Sequence, residues 1–555
     1  MPTAPMIALG PSWADFLDRA ATRSALENDW LAAYLAGERW FRGKARRIAG
    51  VRLIDWANFG GGLYLALAEV RYGDGDAETY ALPLQATLEE PAARRAGRIP
   101  EGRVAPIRTA QGEGALIDAL YDPTACVRIL QTILQGREIP TAREGRVRAF
   151  ATAAGATAAG RRDGQPAARI AKMERLAAEQ SNTSVILDDA FVLKIFRKVE
   201  DGPHPDLEIG LYLTEQTDFR HSAPVWGGMF YDRGGATSTL AMLQPFIEND
   251  GDGWTYTLRE LARVFAHPHV RGHGAPPPEP ASPRAGAREM EPRIWREMAG
   301  DYLDSALLLG RRTGEFHLAL ARGRGQVDFA PESMTGADLE ALAGRIVDRA
   351  REALLLLEKR RAALPPDARI PADRVLAAGL APLQLFHRLG AGAIETPRIR
   401  CHGDYHLGQV LRVGGDFVLL DFEGEPLRPL AERRQKCSPL KDVAGMLRSF
   451  SYAFQAGLQE AGAAEPALPA ADLPHVRAWG RSWQAWVSAA FLRGYLQIAS
   501  SGELLPRDPV HCDALLDAFL FDKAFYELVY ELNHRPDWVR LPLEGILDRA
   551  GHAGG

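Results

Sequence analysis

Apolar and polar residues alternate through much of the first half of the chain, which is the pattern of half-buried β-strands. Residues 47–85 show this alternation, and the turn YGDGDAE between two apolar runs is typical of a β-hairpin. Residues 184–199 repeat the pattern with Asp188-Asp189 at the turn, and residues 236–250 supply another strand. The pattern therefore predicts a strand-rich N-terminal region.

From about residue 255 onward, apolar residues recur at helical spacing. The stretches 301–320 and 338–364 carry them at positions i, i+3, i+4 and i+7. A short strand pair near residue 400 interrupts the helices: RIRCHGD and QVLRV lead through a Gly-Gly-Asp turn into FVLLDFEG. Strand-rich sequence thus precedes helix-rich sequence, which predicts an α+β fold in two lobes.

Three segments of biased composition separate these regions. They are an Ala/Gly segment (151–164), a Pro/Ala-rich segment (273–292) and a second Ala/Pro-rich segment (458–475). The Pro/Ala-rich segment has too many prolines to hold a regular element. We predict linkers or long surface loops for all three.

The composition is that of an ordinary globular protein. Of 555 residues, 46% are hydrophobic and 25% are charged. The net charge is −5, and we find no Lys/Arg-rich tract. This balance provides no electrostatic footprint for nucleic acid, so we expect no nucleic-acid partner.

Cysteine usage and hydropathy favour a cytoplasmic protein without a membrane partner. Cys126, Cys401, Cys437 and Cys512 form no CxxC pair, and their spacing fits no zinc or disulfide framework. A reduced environment is therefore expected. The N-terminus has no basic region followed by an apolar stretch, so we expect no signal peptide.

The most apolar helical stretch spans residues 483–499. Gln484, Arg493 and Gln497 interrupt it. It is too short and too polar to span a bilayer, so it is expected to be a buried core helix.

The region 401–421 carries side chains suited to phosphoryl transfer. Asp404 follows a strand, Gln409 opens the next one and Asp421 ends it, so a hairpin brings these groups together. Such chemistry needs a carboxylate to accept a hydroxyl proton, and oxygen ligands for Mg²⁺ at the nucleotide phosphates. The pattern H-G-D-x-x-x-x-Q followed by D-F-E has the Asp-to-amide spacing of the kinase pattern H-R-D-x-x-x-x-N followed by D-F-G.

The same region admits a second interpretation, as a cluster of metal ligands. Cys401, His402 and His406 are soft ligands close together in sequence. The two histidines would share a face only on a helix, whereas the sequence predicts a strand followed by a loop. No further ligand lies at finger-like spacing, so we reject the zinc interpretation.

A kinase also needs a lysine on a strand to hold the nucleotide phosphates. Lys194 lies in the apolar strand FVLKIFR and therefore needs a partner, a role that Glu208 in the next helix can fill. Hydroxyl, amide and backbone N–H groups of EQSNTSVIL occupy the position of a phosphate-covering loop. The backbone of LQPFIEND would hold adenine. The predicted nucleotide contacts are Ser181, Asn182, Thr183, Ser184, Lys194, Glu208, Gln244 and Phe246.

Several motifs resemble those of the bacterial maltokinases, which are aminoglycoside-phosphotransferase-like kinases. They are EQSNTSVIL with FVLKIFR, HGDYHLGQVL, DFEGEP, SPLKDVAGMLRSF and YELVYELNHRPDW; RWFRGKAR is similar to the start of the maltokinase N-terminal cap. The resemblance runs from about residue 30 to about 547, with insertions. It implies a bilobal protein-kinase-like fold with a cap (1–150), an N-lobe (165–250) and a helical C-lobe (251–555).

The resemblance also implies an activity. Maltokinases transfer the γ-phosphate of ATP to the anomeric hydroxyl of maltose, with ATP and Mg²⁺, and supply α-glucan synthesis alongside trehalose-to-maltose conversion. A functional association with trehalose synthase is implied as well. Asp404 would be the base, Gln409 and Asp421 would bind Mg²⁺, and Lys194 would hold the phosphates. A related group phosphorylates glucosamine, so the acceptor is less secure than the reaction.

The acceptor side is predicted from helix DKAFYELVYELNHRPDW. Lys523, Tyr526, Glu527 and Tyr530 share one face, and Trp538 follows it; a sugar site needs such hydrogen-bonding groups and a flat aromatic ring. An amphipathic core helix would show the same pattern. Further acceptor candidates are His406, Glu423, Arg428 and Arg433, each of which also has a structural interpretation. His402 and Asp442 are expected to hold the catalytic loop.

Two other functions compete with a maltokinase. An inactive kinase-like binding module would have lost a key group, but Lys194, Asp404, Gln409 and Asp421 are all present. An aminoglycoside kinase binds polycations and would need an acidic pocket. The acceptor candidates combine basic residues with tyrosines, which suits a neutral sugar better.

Overall fold

The computed structural model divides the chain into two compact units. It describes residues 6–9, 13–88, 101–160, 170–176, 181–323, 325–383, 394–426, 428–463, 469, 471–501 and 503–553. The first unit comprises Met1–Gln216, Ala223–Glu248 and Pro426–Leu430, and the second comprises Thr217–Ser222, Asn249–Glu425 and Ala431–Gly555. The residues predicted as cap (1–150) and N-lobe (165–250) therefore fall in the first unit, except 217–222 and 249–250.

The first unit is rich in strands, as predicted. Its strands are β1 (Ile7–Ala8), β2 (Ile48–Gly60), β3 (Leu63–Tyr72), β4 (Ala77–Leu88), β5 (Arg103–Thr109), β6 (Gly112–Asp118), β7 (Glu138–Pro140), β8 (Arg146–Ala151), β9 (Met173–Arg175), β10 (Asn182–Leu187), β11 (Phe191–Phe196), β12 (Lys198–Val199), β13 (Gly227–Arg233) and β14 (Ala236–Pro245). Its helices are α1 (Ala20–Ala25), α2 (Leu31–Gly37), α3 (Pro123–Leu134), α4 (Ala153–Gly160) and α5 (Pro205–Gln216).

One sheet of this unit has the strand order β1-β5-β6-β4-β3-β2, and β12 pairs with β4. Strands β2, β3 and β4 are consecutive antiparallel neighbours, which confirms the hairpin predicted at YGDGDAE. Tyr64 and Tyr80 on these strands are buried and pack in one core with Phe16 and Trp40. Aromatic side chains suit the pleated, half-buried surface of such a sheet.

The other sheet has the order β7-β8-β13-β14-β11-β10-β9. Asp188 and Asp189 join β10 to β11 with φ of 53° and 46°, a conformation that short polar side chains tolerate. This confirms the predicted turn. Lys194 lies on β11 between Ser184 of β10 and Met242 of β14, so it projects from an interior strand.

A buried ion pair joins the two sheets within this unit. Arg197, which follows β11, donates from Nη2 to Asp118 Oδ2 at 2.6 Å and from Nε to the Thr183 hydroxyl at 2.9 Å. Its guanidinium lies 4.5 Å from the Trp40 ring centroid, and the Tyr34 hydroxyl donates to Asp118 at 3.0 Å. Because both charges are buried, they are stable only while paired.

The second unit is mostly helical, as predicted. The remaining helices of the chain are α6 (Gly253–Ala266), α7 (Pro268–Arg271), α8 (Pro283–Gly286), α9 (Arg293–Ala321), α10 (Gly336–Arg360), α11 (Pro366–Ala378), α12 (Leu430–Arg433), α13 (Leu440–Ala463), α14 (Leu473–Ala499), α15 (Pro509–His534) and α16 (Arg540–Ala553). The remaining strands are β15 (Glu332–Ser333), β16 (Pro397–Arg398), β17 (Val410–Val413) and β18 (Asp416–Leu419).

Helices α9 and α14 form the centre of this unit. Trp295 packs edge-on against Trp479, and Tyr302 packs against Trp483, with ring centroids 5.4 Å apart in both pairs. The stretch 483–499 lies within α14 and is largely buried, which confirms it as a core helix. Within the described ranges, no helix has the length and apolarity needed to cross a bilayer.

Residues 273–292, here called the Pro-rich strap, lie along α14. Side chains of α14 donate to its carbonyl oxygens: Trp479 to Gly274 at 2.8 Å, Ser482 to Pro277 at 2.8 Å and Trp486 to Pro278 at 3.1 Å. The strap also contains the helical turn α8, capped by the Ser282 side chain. The prediction that this segment holds no regular element was therefore wrong.

The other two segments also differ from the predicted linkers. Residues 153–160 form helix α4, where a Cβ on Gly155 would lie 2.0 Å from the carbonyl oxygen of Trp226. Such close packing explains why small residues form a helix here. Residues 458–463 end helix α13. The predictions for 161–164, 464–468 and 470 lie outside the described residues.

Candidate active site

The loop before β17 lies directly against the segment after β18. Gly403 has a φ of +87°, and a Cβ there would lie 2.9 Å from the Cα of Gly424, so this close approach requires glycine. Asp421 has a φ of 63°, in the left-handed region that aspartate adopts more readily than most residues other than glycine. Strands β17 and β18 pair antiparallel, as predicted. The hairpin thereby returns Asp421 to Gln409, whose Nε2 donates to Asp421 Oδ2 at 2.9 Å.

Asp404 is held beside a lysine from a distant helix. Lys523 Nζ donates to Asp404 Oδ1 at 3.0 Å and lies 4.0 Å from a carboxylate oxygen of Glu425. Burial raises the pKa of Asp404, but the Lys523 ammonium and nearby His406 outweigh this effect and hold that pKa well below its usual range. Burial lowers the pKa of Lys523, and the surrounding carboxylates raise it further than burial lowers it. Asp404 is therefore ionised and Lys523 is charged at neutral pH.

Glu425 was not predicted from the sequence. It is 4% exposed, four residues after Asp421 in the DFEGEP motif, and it adds a second carboxylate beside Lys523. Its position as the third acidic residue of that motif was the available signal.

Gln409 and Asp421 offer oxygen atoms of the kind that Mg²⁺ prefers. Because the Gln409 amide donates through its nitrogen to Asp421 Oδ2, its amide oxygen lies on the other branch of the side chain and can serve as a metal ligand beside the Asp421 carboxylate. Within the described residues, no group of three or more His, Cys, Asp or Glu side chains could hold a metal ion. Two oxygen ligands suit a Mg²⁺ that takes its other ligands from phosphates and water.

A buried carboxylate anchors the loop that carries Asp404. Asp442, at the start of α13, accepts from the backbone N–H of His402 at 2.7 Å and of Gly403 at 2.9 Å. His317 Nε2 lies 3.0 Å from the same carboxylate. Burial raises the pKa of Asp442, but the hydrogen bond and charge of His317 outweigh it and keep that pKa below its usual range. Neither His317 nor its contact was predicted.

The two histidines of the loop differ in their surroundings. His402 is 1% exposed, and its Nε2 lies 2.9 Å from the carbonyl oxygen of Leu420, so the ring is tied to the loop. His406 Nδ1 accepts from the Gly408 N–H at 3.1 Å, which leaves Nε2–H as the free donor of a neutral ring. Burial lowers the pKa of His406 more than the Asp404 carboxylate raises it. His406 is therefore a neutral donor beside Asp404.

The predicted acceptor helix is α15. Lys523 Nζ lies 5.0 Å from the centroid of the Tyr526 ring, and both side chains are half-buried. Glu527 faces a different neighbour, because its carboxylate accepts from the buried Arg448 at 2.6 and 2.9 Å. Tyr530 stacks on His534 with centroids 4.5 Å apart.

Trp538 lies just beyond the end of α15. Its ring stacks on Tyr452 with centroids 6.2 Å apart, and the guanidinium of Arg535 lies 5.1 Å from its centroid. Tyr452 also donates to Glu531 at 3.1 Å. Trp538 therefore forms an aromatic pair with Tyr452, which the sequence did not predict.

The remaining acceptor candidates lie in two different units. Arg433 donates to the carbonyl oxygen of Glu423 at 3.2 Å, and its side chain packs against Gly424. Glu423 is 6% exposed. Arg433 therefore supports the segment after Asp421, whereas Arg428 belongs to the first unit.

The predicted nucleotide residues lie in the first unit. Lys194 is buried, and its Nζ donates to Asp206 Oδ2 at 2.7 Å. Sequence reasoning did not predict Asp206, which lies in the first turn of α5. Glu208 follows it on the same helix and is half-buried. A strand lysine paired with a carboxylate on the following helix is the arrangement that a phosphate-binding lysine needs.

The predicted phosphate loop is mostly a strand. Asn182, Thr183 and Ser184 belong to β10, and together with Ser181 they are buried. The expectation of a loop over these positions was therefore wrong. The backbone of Asn182, Thr183 and Ser184 pairs with β11 in the sheet. Residues 177–180 lie outside the described part of the chain.

The predicted adenine contacts lie at the end of β14. Gln244 pairs with Val192 in the sheet, and its side-chain Nε2 donates to the carbonyl oxygen of Ala223 at 3.0 Å. The Phe246 N–H donates to the carbonyl oxygen of Ala190 at 3.0 Å. The carbonyl oxygen of Phe246 is then its available backbone group.

Residues 34–122 match the maltokinase N-terminal cap domain. This match confirms the resemblance to maltokinases that the sequence motifs indicated. The chain is also similar to a glucosamine kinase of Streptacidiphilus jiangxiensis, at 25% identity over 69% of this chain and 74% of that protein. A glucosamine kinase of Mycolicibacterium smegmatis is 26% identical over 69% of this chain and 82% of that protein.

Solved structures share the fold. A glucosamine kinase in complex with glucosamine, ADP and inorganic phosphate has a TM-score of 0.59 at 20% identity, covering 93% of this chain and 98% of that one. Another glucosamine kinase crystal form has a TM-score of 0.61 at 20% identity, covering 97% and 99%. The predicted kinase-like fold is thereby confirmed. The comparisons together support a kinase-like sugar kinase, a phosphotransferase that acts on a small sugar.

Proposed function

We propose that this protein transfers the γ-phosphate of ATP to the anomeric hydroxyl of maltose, with Mg²⁺, to give maltose 1-phosphate. The observation that carries the proposal is the contact of Asp404 with Lys523, next to the Gln409–Asp421 pair. These residues supply an ionised base (Asp404), a charged group on the acceptor side (Lys523) and two side chains with oxygen ligands for a metal (Gln409 and Asp421).

In this reaction Asp404 accepts the proton of the sugar hydroxyl. The hydroxyl oxygen forms a bond to the γ-phosphorus, the bond between that phosphorus and the bridging oxygen of ADP breaks, and ADP leaves. Because the transition state is loose, orienting the hydroxyl matters more than a strongly basic carboxylate. A low pKa for Asp404 suits this role, since the group stays ionised and ready to accept a hydrogen bond.

Gln409 and Asp421 would hold Mg²⁺, and Lys194 would bind the phosphates. When bound, the ion neutralises charge on the phosphate oxygens. The ion pair with Asp206 fixes the direction of the Lys194 side chain. Glu208 as a further partner, the 181–184 groups as phosphate contacts and the 244–246 backbone as the adenine site remain parts of this proposal.

The charges around Asp404 support a neutral acceptor. A protonated amine at the reacting end of a sugar would meet the Lys523 ammonium, which already occupies the carboxylates of Asp404 and Glu425. Like charges at this distance repel. The tyrosines extend the site: Tyr530 follows Lys523 by seven residues, about 10 Å along the helix, which suits two sugar rings.

Glucosamine is the second candidate acceptor, favoured by the names of the relatives that match most of the chain. Release of ADP in the presence of maltose, glucose, glucosamine and kanamycin distinguishes the candidates. We expect maltose to give the highest kcat/KM. Preference for glucosamine would overturn the acceptor and leave the kinase assignment intact.

The position of phosphorylation needs its own control. Maltitol, the reduced form of maltose, lacks the anomeric hydroxyl and otherwise resembles the substrate. We expect turnover with maltose and none with maltitol, with the product phosphate identified at the anomeric carbon by phosphorus NMR. Equal rates with both sugars would show that another hydroxyl is the acceptor. ADP formation that does not depend on sugar would instead indicate a hydrolase.

A further inference from the structure

The helical unit contains a polar cavity of ≈ 170 Å³ that the proposed reaction does not use. Helices α13, α14 and α16 line it together with the Pro-rich strap, and Leu520 of α15 contributes one side. Among the described residues that line it, neither Asp404 nor Lys523 is present. The cavity is therefore distinct from the candidate active site.

Polar side chains reach this cavity from three helices at the spacing of one helix face. On α13 they are Arg448, Ser451 and Gln455; on α14, Arg481, Gln484 and Ser488; on α16, Glu544 and Asp548. A helix face that points into a protein interior is normally apolar, because buried polar groups lose hydration. This position explains Gln484, one of the three polar residues that interrupt the apolar stretch 483–499.

The buried polar groups of the cavity form an ordered network. Gln484 Nε2 donates to the Ser451 hydroxyl at 2.7 Å, and Arg477 donates to Gln455 Oε1 at 3.2 Å. Ser451 and Ser488 are 5% and 3% exposed. Such a network is rigid and offers both donors and acceptors at fixed positions.

The charges of the lining are balanced. Its arginines are Arg448, Arg481 and Arg549, and its carboxylates are Glu279, Glu544 and Asp548. The carboxylates would repel a phosphate, and the guanidinium groups would repel an ammonium group. Phe454 and the prolines of the strap add apolar surface. Mixed donors, acceptors and one ring face are suited to a neutral polyhydroxylated molecule.

The cavity is connected to the catalytic loop by two short routes. Arg448 lines the cavity and donates to Glu527, which lies one helical turn after Lys523 on α15. Arg448 lies on helix α13, and the first turn of the same helix contains Asp442, which anchors the loop that carries Asp404. Its Ser449 also accepts from the Leu407 N–H at 3.0 Å.

We propose that this cavity is a second binding site, for a neutral polyhydroxylated ligand the size of a single sugar ring, and that its occupation alters turnover at Asp404. The contacts that transmit the change are the Arg448–Glu527 pair and helix α13. The proposal does not depend on maltose being the acceptor.

The test measures thermal stabilisation of the full chain by D-glucose, in wild type and in the Asp404→Asn variant. We expect D-glucose to raise Tm in both proteins, and the charged analogues glucosamine and glucose 6-phosphate to do so less. Ala485→Leu fills the cavity and should weaken the apparent affinity at least tenfold. Ala341→Leu, an exposed change on α10, is the matched control and should leave it unchanged.

Gln484→Met is the second variant, because it retains the volume of the side chain and removes its hydrogen bonds. It should weaken D-glucose binding in the same direction as Ala485→Leu, and saturation-transfer NMR should show the loss directly. Unchanged binding in Gln484→Met, or stronger binding of either charged analogue, would overturn the proposal. Since binding is also measured in Asp404→Asn, failure of the proposed kinase activity would leave the binding site standing and remove only its effect on turnover.

Discussion

Lys523 and Asp404, 119 residues apart in sequence, form a direct ion pair at 3.0 Å. The pair joins α15, the predicted acceptor helix, to the loop that carries Asp404 and keeps both groups charged. A base that is ionised by a neighbouring ammonium keeps its charge over a wide pH range. The pair therefore determines how activity responds to pH.

Asp404→Asn removes the proposed acceptor of the hydroxyl proton. We expect kcat to fall by about 10²–10⁴-fold, since the amide retains the shape but not the basicity. ADP binding, measured by calorimetry, should stay within about twofold of wild type. Asp537→Asn, an exposed change just after α15, serves as control. Near-normal kcat in Asp404→Asn would show that another group is the base.

Lys523→Met tests the electrostatic role of the pair. The Lys523 charge lowers the pKa of Asp404, so its removal should raise that pKa. The acid limb of the kcat/KM profile should then move to higher pH by about one unit or more. Lys523→Arg should restore the wild-type position because it retains the charge. An acid limb that does not move in Lys523→Met would contradict this role.

Asp421→Asn tests the proposed metal ligands. We expect the Mg²⁺ concentration for half-maximal activity to rise at least about tenfold, measured by titrating Mg²⁺ at saturating ATP. Asp416→Asn is the matched control, because Asp416 lies on the same hairpin but is bound by Arg312 at 2.6 and 2.8 Å. An equal rise in both variants would indicate damage to the hairpin instead.

Asp118→Asn leaves the buried Arg197 without its charged partner. We expect the free energy of unfolding to fall by about 3–5 kcal/mol, because an uncompensated charge would remain in the core. Urea denaturation followed by tryptophan fluorescence measures it. Asp74→Asn breaks the exposed pair with Arg46 and should have no measurable effect. Comparable losses in both variants would rule out burial as the cause.

His406 should titrate below its usual range. Burial disfavours its charged form, so the neutral ring stabilises the fold above the unfolded pKa, and this contribution is lost as pH falls through the folded pKa. Nitrogen-detected NMR should find a neutral ring with the proton on Nε2 at pH 7, and His406→Gln identifies the resonance. A ring that is already charged at pH 6.5 would refute this environment.

The catalytic hairpin was predictable because its signals are local. The spacing from Asp404 to Gln409, the Gly414-Gly415 turn and the four apolar residues before Asp421 fix a strand–turn–strand unit without outside contacts. The β10–β11 turn was equally local. Both depend on periodicity and turn chemistry, which the sequence displays directly.

Contacts between distant helices were not predictable. His317 lies 125 residues before Asp442, and Glu425 approaches Lys523 only through the tertiary fold. No spacing in the sequence encodes such pairs. Asp206 was missed because both it and Glu208 lie in the first turn of α5. The sequence does not show which of the two carboxylates faces Lys194.

The Ala/Gly and Pro/Ala segments were misread for a related reason. Their composition is typical of loops, yet packing overrides it where small residues allow close approach, as at Gly155 beneath Trp226. Loop composition indicates weak intrinsic preference for structure. It does not exclude a segment that neighbouring residues hold in place.

The Pro-rich strap has a consequence for how this protein can diverge. Trp479, Ser482 and Trp486 bind the backbone carbonyls of Gly274, Pro277 and Pro278, which every residue type carries, so these contacts do not depend on the side chains at those three positions. The contacts do depend on the length of this segment, since one residue inserted between Gly274 and Pro277 would shift carbonyl oxygens away from their donors. We therefore expect relatives to keep these three donor side chains and the number of residues between Gly274 and Pro278, while the side chains that carry the carbonyls change. Percentage identity would not detect this relationship.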